Sequence, residues 1–243
     1  MNIYLTDGTE EGFFTAAFFA CTDANCIVTS ARTVQLSLDA NILEVASDAE
    51  KSARVRRKLT SLDNGAVRDI RLLLRRGSEQ KEMVALRYLR LIVQKGGAVR
   101  GMLALPEVHE AREEMRKVTL EAHRFKGFIR FMEGENGIWY APFAPDNDIL
   151  ELILPHFLAR FGAQSFILHD TVRRRAALCR GGACTIAQTE ESVTVPLSPD
   201  EQFFRSLWQE YYRSVDISLR PHERQMKNYM PVRYWKFLPE KNI

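Results

Sequence analysis

The stretch PEVHEAREEMRKVTLEAHRFKGFIRFMEGENGIWYAPFAP, Pro106–Pro145, changes its hydrophobic period once, and that change decides the fold class. In its first half Val108, Ala111, Met115, Val118, Ala122 and Phe125 recur at alternating steps of three and four, which sets one apolar stripe along a helix. Displaced by one residue, His109, Arg112, Arg116, Thr119, His123 and Lys126 follow the same steps and lay a basic stripe beside it. Glu113, Glu114 and Glu121 partly neutralise that stripe, so it reads either as a solvated face or as a surface for phosphates. Past Gly127 the pattern becomes strand-like: FIRFME, a turn around Gly134, Asn136 and Gly137, then IWYAPFAP, together a hairpin signal.

On the N-terminal side, Ile3–Thr6 reads as a strand and Glu10–Cys21 as a helix burying Phe13, Phe14, Ala17 and Phe18, with Glu10 and Glu11 at its positive end. Cys26–Thr29 and Thr33–Leu38 have strand character. Three helices follow, Asp48–Leu59, Gly65–Arg76 and Glu79–Lys95, the third with Ser78 as its cap and Gly96-Gly97 as its stop. On the C-terminal side, Asn147–Phe161 is helical but carries Pro155, which lacks an N–H and should kink or divide it. Ser165–His169, Ala176–Cys179 and Cys184–Gln188 read as strands, and Pro199–Val215 as a last helix. The expected fold is α+β: a small α/β unit over 1–46, a helical region over 47–126, then a mixed or antiparallel sheet with flanking helices over 127–243, all in one compact domain.

The 243 residues carry 34 basic against 31 acidic side chains, a formal charge of +3, so only local clustering can argue for nucleic acid. Asp7, Glu10 and Glu11 precede the apolar run Phe13–Cys21, the reverse of a secretory signal, and no apolar run is long enough to span a bilayer. A cytoplasmic protein without membrane contact is expected. Cys21 with Cys26 and Cys179 with Cys184 form two C-x4-C pairs, which lack zinc-ribbon spacing and read as small buried thiols. Phosphate-loop, dinucleotide, zinc-protease, nucleophile-elbow and radical-SAM cysteine motifs are all absent, so no cofactor or metal is expected of the chain itself.

The chemistry-bearing residues that remain fall in two groups. His123, His156 and His169, the last beside Asp170, could make an acid–base site if they converged; each reads otherwise as a hydrogen-bonding group of the fold. In the last 24 residues Arg220, Arg224, Lys227, Arg233, Lys236 and Lys241 oppose only Glu223 and Glu240, interleaved with Tyr229, Tyr234, Trp235 and Phe237. Cations for phosphates beside rings for bases suit single-strand or flipped-base contacts, while the same rings could strap the tail to the core. Trp235, Phe237 and Leu238 are expected to pin the tail, leaving Arg233, Tyr234 and Lys236 presented.

YLTDGTEEGF, EAHRFKGFIRF, WYAPFAPDNDIL, LPHFLARF, ILHD, FRSLWQEYYRSVDI and MPVRYWKFLPE, in this order and across nearly the whole chain, resemble a family assigned to DNA metabolism or repair. Members of that family are encoded beside a radical-SAM protein and are sometimes fused to a uracil-DNA-glycosylase-like domain. The matching motifs carry Asp7, Gly8, Glu11, Gly12 and Phe13; His123, Lys126, Gly127 and Arg130; Tyr140, Pro142 and Asn147; His156, Phe157, Arg160 and Phe161; His169 and Asp170; and Pro231, Arg233, Tyr234, Trp235 and Lys236. The chain departs from the family pattern at Arg220-Pro221-His222, where an Asn usually follows the Arg, and at Pro145-Asp146-Asn147-Asp148-Ile149, where Asp146 replaces a neutral or cationic contact.

The resemblance implies DNA metabolism as the process, with DNA, a radical-SAM protein and a uracil-DNA-glycosylase-like protein as partners. The expected function is a DNA-binding accessory protein in repair or modification, in which Arg116, Lys126, Arg130, Arg233 and Lys236 meet phosphates while Tyr140 and Tyr234 stack on bases. Two alternatives stand beside it: a hydrolase or lyase acting on a damaged nucleotide through His123, His156, His169 and Asp170, and a protein-only adaptor.

Overall fold

The computed structural model describes residues 1–31, 40–190, 193, 195–215 and 223–241, and these fall into two compact units, residues 1–119 and 120–243. The fold is mixed α+β, with a small N-terminal sheet, central helices and a second, mixed sheet with flanking helices.

In the first unit β1 (Asn2–Leu5) is the middle strand of a parallel sheet, between β2 (Cys26–Thr29) and β3 (Asn41–Glu44), with Asn2 level with Cys26 on one side and Asn41 on the other. α1 (Glu10–Ala20) makes the crossover from β1 to β2, as parallel pairing requires. The expected strand at Thr33–Leu38 lies outside the described residues. β3 escaped the sequence reading because all four of its residues are exposed, so no burial pattern marks it.

Around the sheet lie α2 (Ala49–Leu62), α3 (Ala66–Leu74), α4 (Lys81–Lys95), a 3-10 helix over Gly96–Gly101, and the first turns of α5 (Pro106–Phe128). Asp48 caps α2 by accepting from the Glu50 and Lys51 N–H groups. α4 starts two residues later than expected and has no side-chain cap, but it does stop at Gly96, whose φ of 73° favours glycine. Phe13, Phe14, Leu59, Ile70, Leu86, Tyr88, Leu89 and Ile92 form this unit's core.

The second unit contains a five-stranded sheet in the order β4 (Met132–Glu133), β5 (Trp139–Phe143), β6 (Phe166–Asp170), β7 (Arg175–Arg180), β8 (Ala183–Gln188). Only β5 and β6 are parallel, and α6 (Leu150–Phe161) connects them. The expected hairpin is present but its first arm is short: the helical period carries α5 on through Phe128, leaving two residues for β4. α6 is one helix across Pro155, which lies in its first half, rather than two. Cys179 and Cys184 are level across the β7–β8 pair and form a disulfide, a correction to the expectation of four thiols; Cys21 and Cys26 remain free.

α7 (Glu201–Val215), α8 (Glu223–Tyr229) and 3-10 helices over Val232–Phe237 and Pro239–Lys241 complete the chain. Phe125, Phe143, Ile153, Phe157, Phe166, Leu168, Tyr234 and Leu238 are buried in this unit. Among the described residues no helix is long and apolar enough to cross a membrane.

Candidate functional site

The period of α5 is borne out in space: Val108, Ala111, Val118, Ala122 and Phe125 are buried, while His109, Arg112, Arg116, Thr119 and His123 are exposed. One residue of the neutralising set does something different. Glu121 is 4 % exposed, and its carboxylate accepts from the Asp146 N–H (3.0 Å), the Asn147 N–H (2.8 Å), the Asn147 amide (2.6 Å) and the Tyr234 hydroxyl (3.0 Å). Four donors satisfy the oxygens of a buried carboxylate, so this charge is structural.

The same network fixes the C-terminal signature. Tyr234 is 3 % exposed and packs on Phe125 at 4.6 Å between ring centroids. Burial, reinforced by the Glu121 charge, pushes its phenol up to about 12. Arg233 donates to the Tyr234 hydroxyl at 3.1 Å and pairs with Asp146 at 2.9 Å. Asp146 thus engages Arg233 directly, while Arg220-Pro221-His222 lies outside the described residues. The expected division of the tail is reversed at one position. Tyr234 and Leu238 are the buried anchors; Trp235 and Phe237 are only partly covered.

His169 is likewise internal. It is 4 % exposed, with Nδ1 at 2.7 Å from the Tyr140 hydroxyl and Nε2 at 3.0 Å from the Thr189 hydroxyl, so either tautomer satisfies both ring nitrogens. Burial holds its pKa below the ordinary value, with Asp170 opposing. The Asp170 pKa is raised by burial against the pull of Arg173 and the Val172 and Arg173 N–H groups. His123 and His156 are exposed on α5 and α6, and neither bonds to His169. Among the described residues no three metal-ligating side chains come together. Tyr140 and Tyr234, at 6 % and 3 % exposed, offer no ring face for a base, a correction that follows from their packing.

The cations divide in the same way. Arg116 is exposed and paired with Glu113 at 2.9 Å. Arg130 donates to Glu240 at 2.7 Å and lies 5.2 Å from the centroid of the Trp208 ring, so it is a tie within the second unit. Lys236 is exposed, its ammonium 5.3 Å from the Phe237 ring. Lys126 and Arg160 have no ion-pair partner among the described residues.

Of these cations, Arg130 and Arg160 line a cleft of about 710 Å³ in the second unit. Phe131, Trp139 and Phe161 line it, as do Phe204 and Trp208 of α7, with Arg130, Arg160, Arg205, Glu133, Glu201 and Gln164 among them. Its walls are fixed by hydrogen bonds. Trp208 Nε1 donates to Glu240 Oε2 at 2.9 Å, and Glu201, 7 % exposed, accepts from the Glu133 N–H at 3.0 Å and from Arg205 Nε at 2.9 Å. Burial opposes ionisation of Glu240, but hydrogen bonds from Arg130 and Trp208 outweigh it and hold the carboxyl below its ordinary pKa.

Sequence reasoning missed both Glu121 and α7's contribution to the cleft. For Glu121 the signal was weak, because a Glu beside a basic stripe looks solvated. For α7 it was present: Glu201, Phe204, Arg205 and Trp208 fall at the three- and four-residue spacings of one helix face.

A family model described as a domain of unknown function, DUF4130, matches residues 79–240. No curated protein and no solved structure matches the chain.

Proposed function

We propose that this chain, which belongs to the DUF4130 family, is a DNA-binding accessory protein in DNA repair or modification and acts with a radical-SAM partner. The observation that carries the reading is the cleft of the second unit, where aromatic rings and arginines line hydrogen-bonded walls. Rings that stack on bases beside cations that meet phosphates are the general means of holding single-stranded nucleic acid. Arg160, exposed on its α6 wall, and Lys126, half-buried next to the cleft residue Gly127, are the two cations we assign to phosphates. The radical-SAM partner rests on the sequence resemblance alone.

The test is association with a single-stranded oligonucleotide, followed by fluorescence anisotropy across a salt series. Replacing both Lys126 and Arg160 by Ala should weaken binding and flatten the log–log salt slope by about 1.4, roughly 0.7 for each phosphate left without its cation. Absence of binding at low salt, or an unchanged slope in the double variant, would remove the reading.

A second reading, the protein-only adaptor, is favoured by α7, whose Phe203, Leu207, Tyr211 and Val215 are 61 %, 50 %, 57 % and 55 % exposed. It requires co-purification with the radical-SAM protein from nuclease-treated extract together with no affinity for DNA.

A further inference from the structure

We infer that the cleft holds one unpaired nucleobase of a DNA strand, stacked between the α7 rings of Phe204 and Trp208 and the opposite wall of Trp139 and Phe161. The inference rests on the DNA-binding reading and deepens it by naming what enters the site. Four observations carry it.

The lining rings come from separate segments, β5, α6 and α7, so the cleft is not a patch on one helix. The α7 rings are still open to a ligand, with Phe204 55 % and Trp208 38 % exposed. The cleft is built before any ligand arrives: Glu240 holds the Trp208 indole and Arg130 covers part of its ring, so stacking need not order these groups. Its volume, about 710 Å³, admits a nucleotide but not a duplex, so a base must come from a single strand or be turned out of the helix.

Polar groups stand where such a base needs them. Gln164 is exposed at the lining and offers an amide donor and acceptor in one plane, matching the paired donor and acceptor of a base edge. Arg160 is exposed in the same lining and has no ion-pair partner among the described residues, which suits it to the phosphate next to the held base. A purely apolar ligand would leave Gln164 and Arg160 without a partner in the lining.

The experiment compares a short oligo-dT strand with the same strand made abasic by tetrahydrofuran residues, at one salt concentration, with free dTMP as competitor. The base-bearing strand should bind about ten-fold or more tighter than the abasic one and should quench tryptophan fluorescence. In Phe204→Ala that ratio should fall to about three-fold or less while the salt slope stays unchanged, and Phe204→Tyr should restore it. Equal binding of base-bearing and abasic strands overturns the inference and leaves the DNA-binding reading standing. A Phe204→Ala protein that keeps the full ratio, with its unfolding midpoint unchanged, also overturns it. Free dTMP binding as tightly as the strand assigns the cleft to a mononucleotide and overturns the strand. Failure of every oligonucleotide to bind removes the reading and the inference together.

Discussion

Glu121 and Tyr234 show how a motif can be specific without being catalytic. Their contact joins α5 to the signature MPVRYWKFLPE, and both are nearly inaccessible to solvent. Glu121→Gln keeps the shape but presents an amide N–H₂ to groups that are themselves donors, so it should lower stability by about 2 to 3 kcal/mol in urea unfolding; a change under about 0.5 would contradict the network. Tyr234 carries a pH consequence. Its phenol titrates at about 12 in the folded chain against 10.0 in the ordinary case, so the stability tied to it is complete below pH 10 and is lost as pH rises toward 12. Wild type should therefore lose stability across that window faster than Tyr234→Phe, by about 1.4 kcal/mol per pH unit. Parallel alkaline profiles for the two proteins would refute this. A line of sequence could not show that Tyr234 faces inward, because a 3-10 helix puts it, not Trp235, against Phe125.

Secondary-structure segments were more legible than contacts. The stripe of α5, the strand β2 and the three strands after Ser165 follow from period and composition alone, since burial on one face leaves a repeat in the sequence. Limits were lost where two signals compete, as at Phe128, which is strand-like in type but still on the helix. The motif YLTDGTEEGF has a local explanation independent of any activity. Thr9 caps α1 by accepting from the Gly12 N–H at 2.9 Å, and Asp7 in turn accepts from Thr9 at 2.7 Å and from Ser47 at 2.7 Å. These bonds, against the opposing effect of burial, keep the Asp7 carboxyl below its ordinary pKa. Thr9→Ala should cost about 1 kcal/mol in thermal or urea unfolding, whereas Thr9→Ser should be nearly neutral. Equal losses in both would show that the hydroxyl is not the cap.

The chain as a whole separates what its sequence specifies from what it does. Its modest charge of +3 conceals a local pattern, because several arginines of the second unit are spent on internal ties, as in Arg130 with Glu240, Arg175 with Asp148 and Arg205 with Glu201. Cations open to a ligand are fewer than the composition suggests, and only three dimensions show which. The cleft was illegible for a related reason: its lining spans Gly127 to Pro239, and no sequence period joins segments so far apart. The most direct measurement is photo-crosslinking of a single strand containing 5-bromodeoxyuridine, with the adducts mapped by mass spectrometry. Adducts should fall on peptides carrying Trp139, Phe161, Phe204 or Trp208 and should disappear with unlabelled competitor. Adducts confined to other peptides, or none under conditions of low salt, would contradict DNA binding in this cleft.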